Sequence, residues 1–186
     1  IDWTDISADV AVLGVPNDMG TQYRSGARFG PRAIREASTL FCFGHAGAYD
    51  FEDDVTYLAA DQLTMVDVGD ADIVHTDMTK SHANTEAAVR QILGAGALPL
   101  ILGGDHSITA PCLAAYSDQP PLHVVHFDAH LDFVDERHGV RYGHGNPLRR
   151  ASEMDWVTGM TQMGIRNVSS SNRDDYAAAR ESGSNI

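Results

Sequence analysis

Val124-Val125-His126-Phe127-Asp128-Ala129-His130-Leu131-Asp132 runs apolar and then turns ionisable within one step. Its first half, with Leu122 and His123 ahead of it, reads as a buried strand over Leu122–Phe127. So continuous an apolar run suits a parallel sheet covered on both faces better than a half-solvated strand. In its second half, Asp128, His130 and Asp132 fall at i, i+2 and i+4. In an extended segment that spacing puts three side chains on one face. Ionisable groups directly after a buried strand are costly unless they are paired or bind a metal. Two carboxylates and an imidazole suit a hard-to-borderline divalent ion such as Mn²⁺.

The same pattern, a strand followed by a polar loop, recurs outward from this stretch. Leu98–Leu102 reads as a strand and leads into Gly103-Gly104-Asp105-His106. Val10–Val15 is a strand ended by Pro16, Met65–Val68 a shorter one, and Thr161–Ile165 the last. Helices are expected over Arg32–Ser38, Thr85–Ala95, Ser107–Tyr116 with a defect at Pro111, and Arg173–Glu181. Strands alternating with helices imply an α/β fold around a mostly parallel sheet. In such sheets ligands sit beyond the carboxyl ends of the strands. Both polar runs lie there.

Two glycines let the backbone ahead of His106 turn sharply and approach a ligand closely. His106 thus becomes a second candidate ligand, with Asp105 expected to orient an imidazole. His144, in Tyr142-Gly143-His144-Gly145-Asn146, is either a proton shuttle or an exposed loop histidine, and spacing alone does not choose. His126, inside the strand, reads as a hydrogen-bonded core residue. The Gly14–Gly30 stretch matches neither GxGxxG nor GxxxxGK[ST], and Ser107 sits in no GxSxG elbow.

Composition narrows the function classes. The chain has 186 residues, with 13 Lys+Arg against 26 Asp+Glu and a formal net charge of -13. That field repels phosphate backbones, so nucleic acid is an unfavourable partner, whereas cationic ligands and divalent metals are mildly favoured. Lys80 is the only lysine, which excludes any mechanism needing a second one. No apolar run reaches the roughly 18 residues of a membrane span. Cys42 and Cys112 form no CxxC pattern, and with no signal peptide evident the chain reads as cytoplasmic with reduced thiols.

Taken together, these motifs resemble the ureohydrolase (arginase–agmatinase) family. The resemblance rests on Gly103-Gly104-Asp105-His106-Ser107, Asp128-Ala129-His130-Leu131-Asp132 and the His144-Gly145 loop. Gly14-Val15-Pro16 leading to Ser25-Gly26-Ala27-Arg28-Phe29-Gly30-Pro31-Arg32 and the tail from Gly164-Ile165-Arg166 to Ala179-Arg180 match as well. It implies a three-layer α/β/α fold, with residues 1–186 as a single, partial ureohydrolase domain. It also implies a binuclear Mn²⁺ centre, with Ni²⁺ as an alternative metal, that hydrolyses a guanidinium group to an amine and urea through a metal-bridging hydroxide. By position His106, Asp128 and Asp132 would bind one ion and His130 the other, Asp128 would bridge them, and His144 would shuttle protons or contact substrate. A small cationic guanidino substrate and a homo-oligomer are implied too.

Two departures bear on that reading. Phe133 and Val134 stand where arginases carry an Asn, which favours agmatine over arginine. Nothing after Ile165 matches the family's last metal motif, so the C-terminal part is expected to be missing. Agmatine is therefore the first expected substrate, and guanidinobutyrate, guanidinopropionate or guanidine the alternatives. A non-catalytic metal-binding relative and a one-zinc deacetylase-like relative are the rival readings.

Overall fold

The computed structural model describes residues 6–41 and 44–186. Cys42 lies outside the described residues. Val10–Val15 forms β1 and Gly30–Ser38 forms α1, whose early Pro31 replaces an N–H that has no helical partner there. An antiparallel hairpin of Ala48–Asp50 (β2) and Val55–Tyr57 (β3) follows. Met65–Asp70 (β4), Met78–Gly94 (α2) and Leu98–Gly103 (β5) come next. The second half runs through Thr109–Ala114 (α3), Leu122–Phe127 (β6), Pro147–Ala151 (α4), Val157–Met163 (β7), Arg173–Glu181 (α5) and Ser184–Asn185 (β8).

The α/β architecture with parallel strands is the expected one. Its strands form two three-stranded parallel sheets, ordered β4-β1-β5 and β6-β7-β8. Among the described residues β5 pairs only with β1, and β6 only with β7. Alternate apolar residues on these two strands, Leu98 and Leu100 on β5 and Val125 and Phe127 on β6, are exposed. Complete cover on both faces, expected from the apolar runs, is thus not reached at these two strands.

Each sheet has its own core. In the first, Ala11, Leu13 and Val15 of β1 pack with Val68 of β4 and with Ala88, Val89 and Ile92 of α2. In the second, Leu131, Phe133 and Leu148 pack with Met160 of β7 and Ala179 of α5. Helix α3 belongs to both: Cys112 faces the first core and Leu113 the second. The Leu113 carbonyl also accepts from Trp156 Nε1 at 2.9 Å. Burial pushes the Cys112 thiol up to about 12, so it stays protonated at neutral pH.

Boundaries differ from the sequence reading where apolar spacing carried no signal. α2 begins seven residues earlier than expected, because Asp77 caps it by accepting from Lys80 N at 2.9 Å and Met78–Asn84 is too polar to show a stripe. β7 begins four residues early, ahead of Gly159. The hairpin, α4 and β8 are too short to leave a period.

Leu13 is completely buried at the centre of the first core. Leu13→Ala should cost about 2–5 kcal/mol through lost burial and a residual cavity. Urea unfolding should show a lower midpoint with an unchanged slope.

Candidate metal centre

Three loops meet beyond the carboxyl ends of β1, β5 and β6. The loop after β1 braces the loop after β5: Asp105 N donates to Asn17 O at 2.8 Å, and Asn17 Nδ2 to Ser107 Oγ at 3.3 Å. Gly104 lies at φ 61°, and a Cβ there would run into the carbonyl oxygens of Val15 and Asn17. Only glycine fits that turn.

Asp105 is buried, and its carboxylate accepts from Gly20 N and Ser107 N, both at 2.7 Å. The expectation that Asp105 orients an imidazole is therefore corrected. Its oxygens are engaged by loop N–H groups, and it fixes the direction in which His106 leaves the strand.

The partner of His106 is Asp132. His106 Nδ1 lies 2.7 Å from Asp132 Oδ2, and its ring stacks on that of His126 with centroids 5.2 Å apart. Asp128 follows β6 directly. Its Oδ1 accepts from His130 N at 2.8 Å, and its Oδ2 lies 3.5 Å from His126 Nε2. One ligand atom from each of His106, His126, Asp128 and Asp132 falls in a group within 4.8 Å of one another. Donors held at about 2.0–2.4 Å from a common ion cannot lie farther apart than about 4.8 Å, so the group fits one divalent cation. Its mix of imidazole and carboxylate suits a borderline-to-hard metal.

The expected extended run is not what aligns these groups. The chain bends at Ala129–His130, and Asp132 sits at φ 51°. A non-glycine residue in that region stores backbone strain, and such strain clusters at functional sites. The bend aims Asp132 at His106 and leaves His130 outside the four-residue group, with Nδ1 3.2 Å from Asp128 Oδ1 and its side chain nearly half exposed. His144 also stands outside the group. Its N–H donates to Gly20 O at 3.0 Å, which ties its loop to the residue holding Asp105. Asn146 braces the same loop, accepting from Gly143 N at 2.9 Å and donating to Val134 O at 2.7 Å.

His126 is the residue whose place in the cluster the sequence reading missed. It is buried as expected, yet its Nε2 has no hydrogen-bond partner and faces Asp128. Extending the alternation back one step, from Asp128 to His126, would have found it. Burial depresses the His126 pKa below the usual imidazole value, and the neighbouring His106 adds to this against the pull of Asp128 and Asp132. For Asp128, burial acts to raise the pKa. The His130 N–H and the surrounding imidazoles outweigh it, so the carboxylate sits below its ordinary range and stays ionised.

Comparison with known proteins adds to this geometry. Residues 8–186 match the model of the Arginase family. Guanidinopropionase of Pseudomonas aeruginosa is 41% identical over 186 residues, covering 97% of this chain and 56% of that protein. The chain belongs to the arginase family. Mitochondrial agmatinase of Gallus gallus is 38% identical over 166 residues, covering 87% of this chain and 46% of that protein. The solved structure of proclavaminate amidino hydrolase from Streptomyces clavuligerus superposes with a TM-score of 0.84 at 35% identity, over 100% of this chain and 60% of that one. This arginase-family chain spans about half the length of the curated relatives it matches. Among its described residues no helix is long and apolar enough to cross a membrane.

The depressed His126 pKa makes the metal-free protein acid-sensitive. The unfolded chain takes up the proton first, near the ordinary value of about 6.5. The stabilisation is complete above that pH and is lost as pH falls through it towards the lower native value. Thermal melts in EDTA should show the midpoint falling from about pH 6.5 downward, with a shallower fall in His126→Gln.

Proposed function

We propose that the protein is a manganese-dependent hydrolase that splits a guanidino compound into an amine and urea, with agmatine as the first substrate. The observation that carries this reading is the convergence of His106, Asp128 and Asp132 beyond two parallel strands of an arginase-family chain. These three would hold one ion. His130, already against Asp128 Oδ1, would hold a second, and Asp128 would contribute an oxygen to each. When bound, two such cations supply a nucleophile at neutral pH by lowering the pKa of water.

The chain's own residues do the rest. Asp128 and Asp132 bring negative charge that offsets the cations and draws in a guanidinium. The amine leaving a tetrahedral carbon must be protonated, and His144, on a loop braced to Gly20, is the group proposed to deliver that proton. The net charge of -13 favours a dication such as agmatine over a zwitterionic guanidino acid.

A second reading, hydrolysis of a guanidino acid, is favoured by the 41% identity with a protein named guanidinopropionase. Phe133 and Val134, which stand where arginases carry an Asn, are buried in the structure. Their apolar character is explained by packing, so they do not argue against a carboxylate on the substrate.

With Mn²⁺, the full-length protein should release urea from agmatine faster than from guanidinobutyrate, guanidinopropionate or guanidine, and Ni²⁺ tests the alternative metal. Faster turnover of a guanidino acid selects the second reading, and no urea from any of the four overturns both. Asp128→Asn and His106→Ala should lose bound metal together with activity. His144→Ala should keep its metal and lose about 10²–10⁴-fold in kcat, the range for a general acid.

A further inference from the structure

His126 belongs to the four-residue group, so it has two possible parts there: a metal ligand through Nε2, or a hydrogen-bond donor through the same atom. Its other ring nitrogen decides between them. Gln162 of β7 lies opposite His126 in the strand register and is almost completely buried. Its Nε2 donates to Leu131 O at 2.7 Å and lies 3.3 Å from His126 Nδ1. Turning the amide over would set Gln162 Oε1 against the Leu131 carbonyl, oxygen on oxygen, so the amide orientation is fixed. His126 Nδ1 is then an acceptor, and a neutral ring with Nδ1 as acceptor carries its hydrogen on Nε2.

Asp128 is the carboxylate beside that nitrogen. His126 is about nine-tenths buried, its Nε2 has no hydrogen-bond partner, and Asp128 Oδ2 lies 3.5 Å away. A buried N–H left unpaired is costly, and shortening this one contact removes that cost. Asp128 Oδ1 is already held by the His130 N–H, so a donor at Oδ2 would fix the carboxylate plane from both sides.

We propose that His126 is a positioning residue and not a metal ligand. Gln162 locks its Nε2–H tautomer, and that N–H orients the Asp128 carboxylate for metal binding. The proposal deepens the guanidino-hydrolase reading and rests on it for the metal, but not for the tautomer.

Long-range ¹H–¹⁵N correlation spectra of the full-length protein, metal-free and with diamagnetic Zn²⁺ as the probe, test it directly. The His126 signals, assigned by their loss in His126→Gln, should show hydrogen on Nε2 in both states. Hydrogen on Nδ1, or displacement of the Nε2 hydrogen by Zn²⁺, would overturn the proposal. The second measurement is Mn²⁺ affinity by calorimetry. His126→Gln, which keeps a donor close to the Nε2 position, should bind within a few-fold of wild type. His126→Phe should lose about 10–100-fold, the usual cost of removing a residue that orients a ligand. Wild-type affinity in His126→Phe would also overturn the proposal. If His126→Phe fails to fold, the wild-type spectra still decide. If no guanidino substrate is turned over while the tautomer and the affinity loss are as expected, the function reading fails and the positioning role stands.

Discussion

The contact between His106 Nδ1 and Asp132 Oδ2 joins the two halves of the molecule at the point where its chemistry converges. His106 follows β5 of the first sheet and Asp132 follows β6 of the second, and among the described residues the two sheets are not hydrogen-bonded to each other. The ligand set therefore depends on how the halves pack. α3 supplies that packing by placing Cys112 in one core and Leu113 in the other. The Asn17–Asp105 and Gly20–Asp105 bonds then fix the His106 loop against the end of β1. A binding site distributed over two cores is rigid only if the helix between them is.

The sequence exposed most of the scaffold for a simple reason. β1 is an uninterrupted apolar run ended by a turn, β6 a mainly apolar one ended by charge, and their observed limits are the expected ones. α2 was legible only from its apolar second half, because a helix that begins with a polar turn is set by its cap and not by its stripe. β2, β3, α4 and β8 were invisible, being too short to carry a period.

The site was legible in its residue types and less so in its geometry. Asp128 and Asp132 do converge, but through a bend and a left-handed backbone at Asp132, and no alternation rule contains that. Asp105 reads as an imidazole partner from its sequence position, yet the backbone N–H groups of Gly20, from the loop after β1, and of nearby Ser107 hold its carboxylate. His126 reads as a core residue from its place inside the strand, which is correct for the buried ring and misses the one nitrogen that faces a carboxylate.

These details share one electrostatic logic. Two ionised carboxylates brought this close, Asp128 and Asp132, repel each other, and the buried His126, whose pKa is depressed, brings no charge to offset them. The arrangement is held by N–H donors, the His130 backbone on Asp128 and the His106 ring on Asp132, against the strain accepted at Asp132. A cation held there would relieve the repulsion without moving the backbone, since His106, Asp128 and Asp132 already converge. The cost of organising these groups is therefore met during folding, and a metal would bind a preformed geometry instead of having to create one.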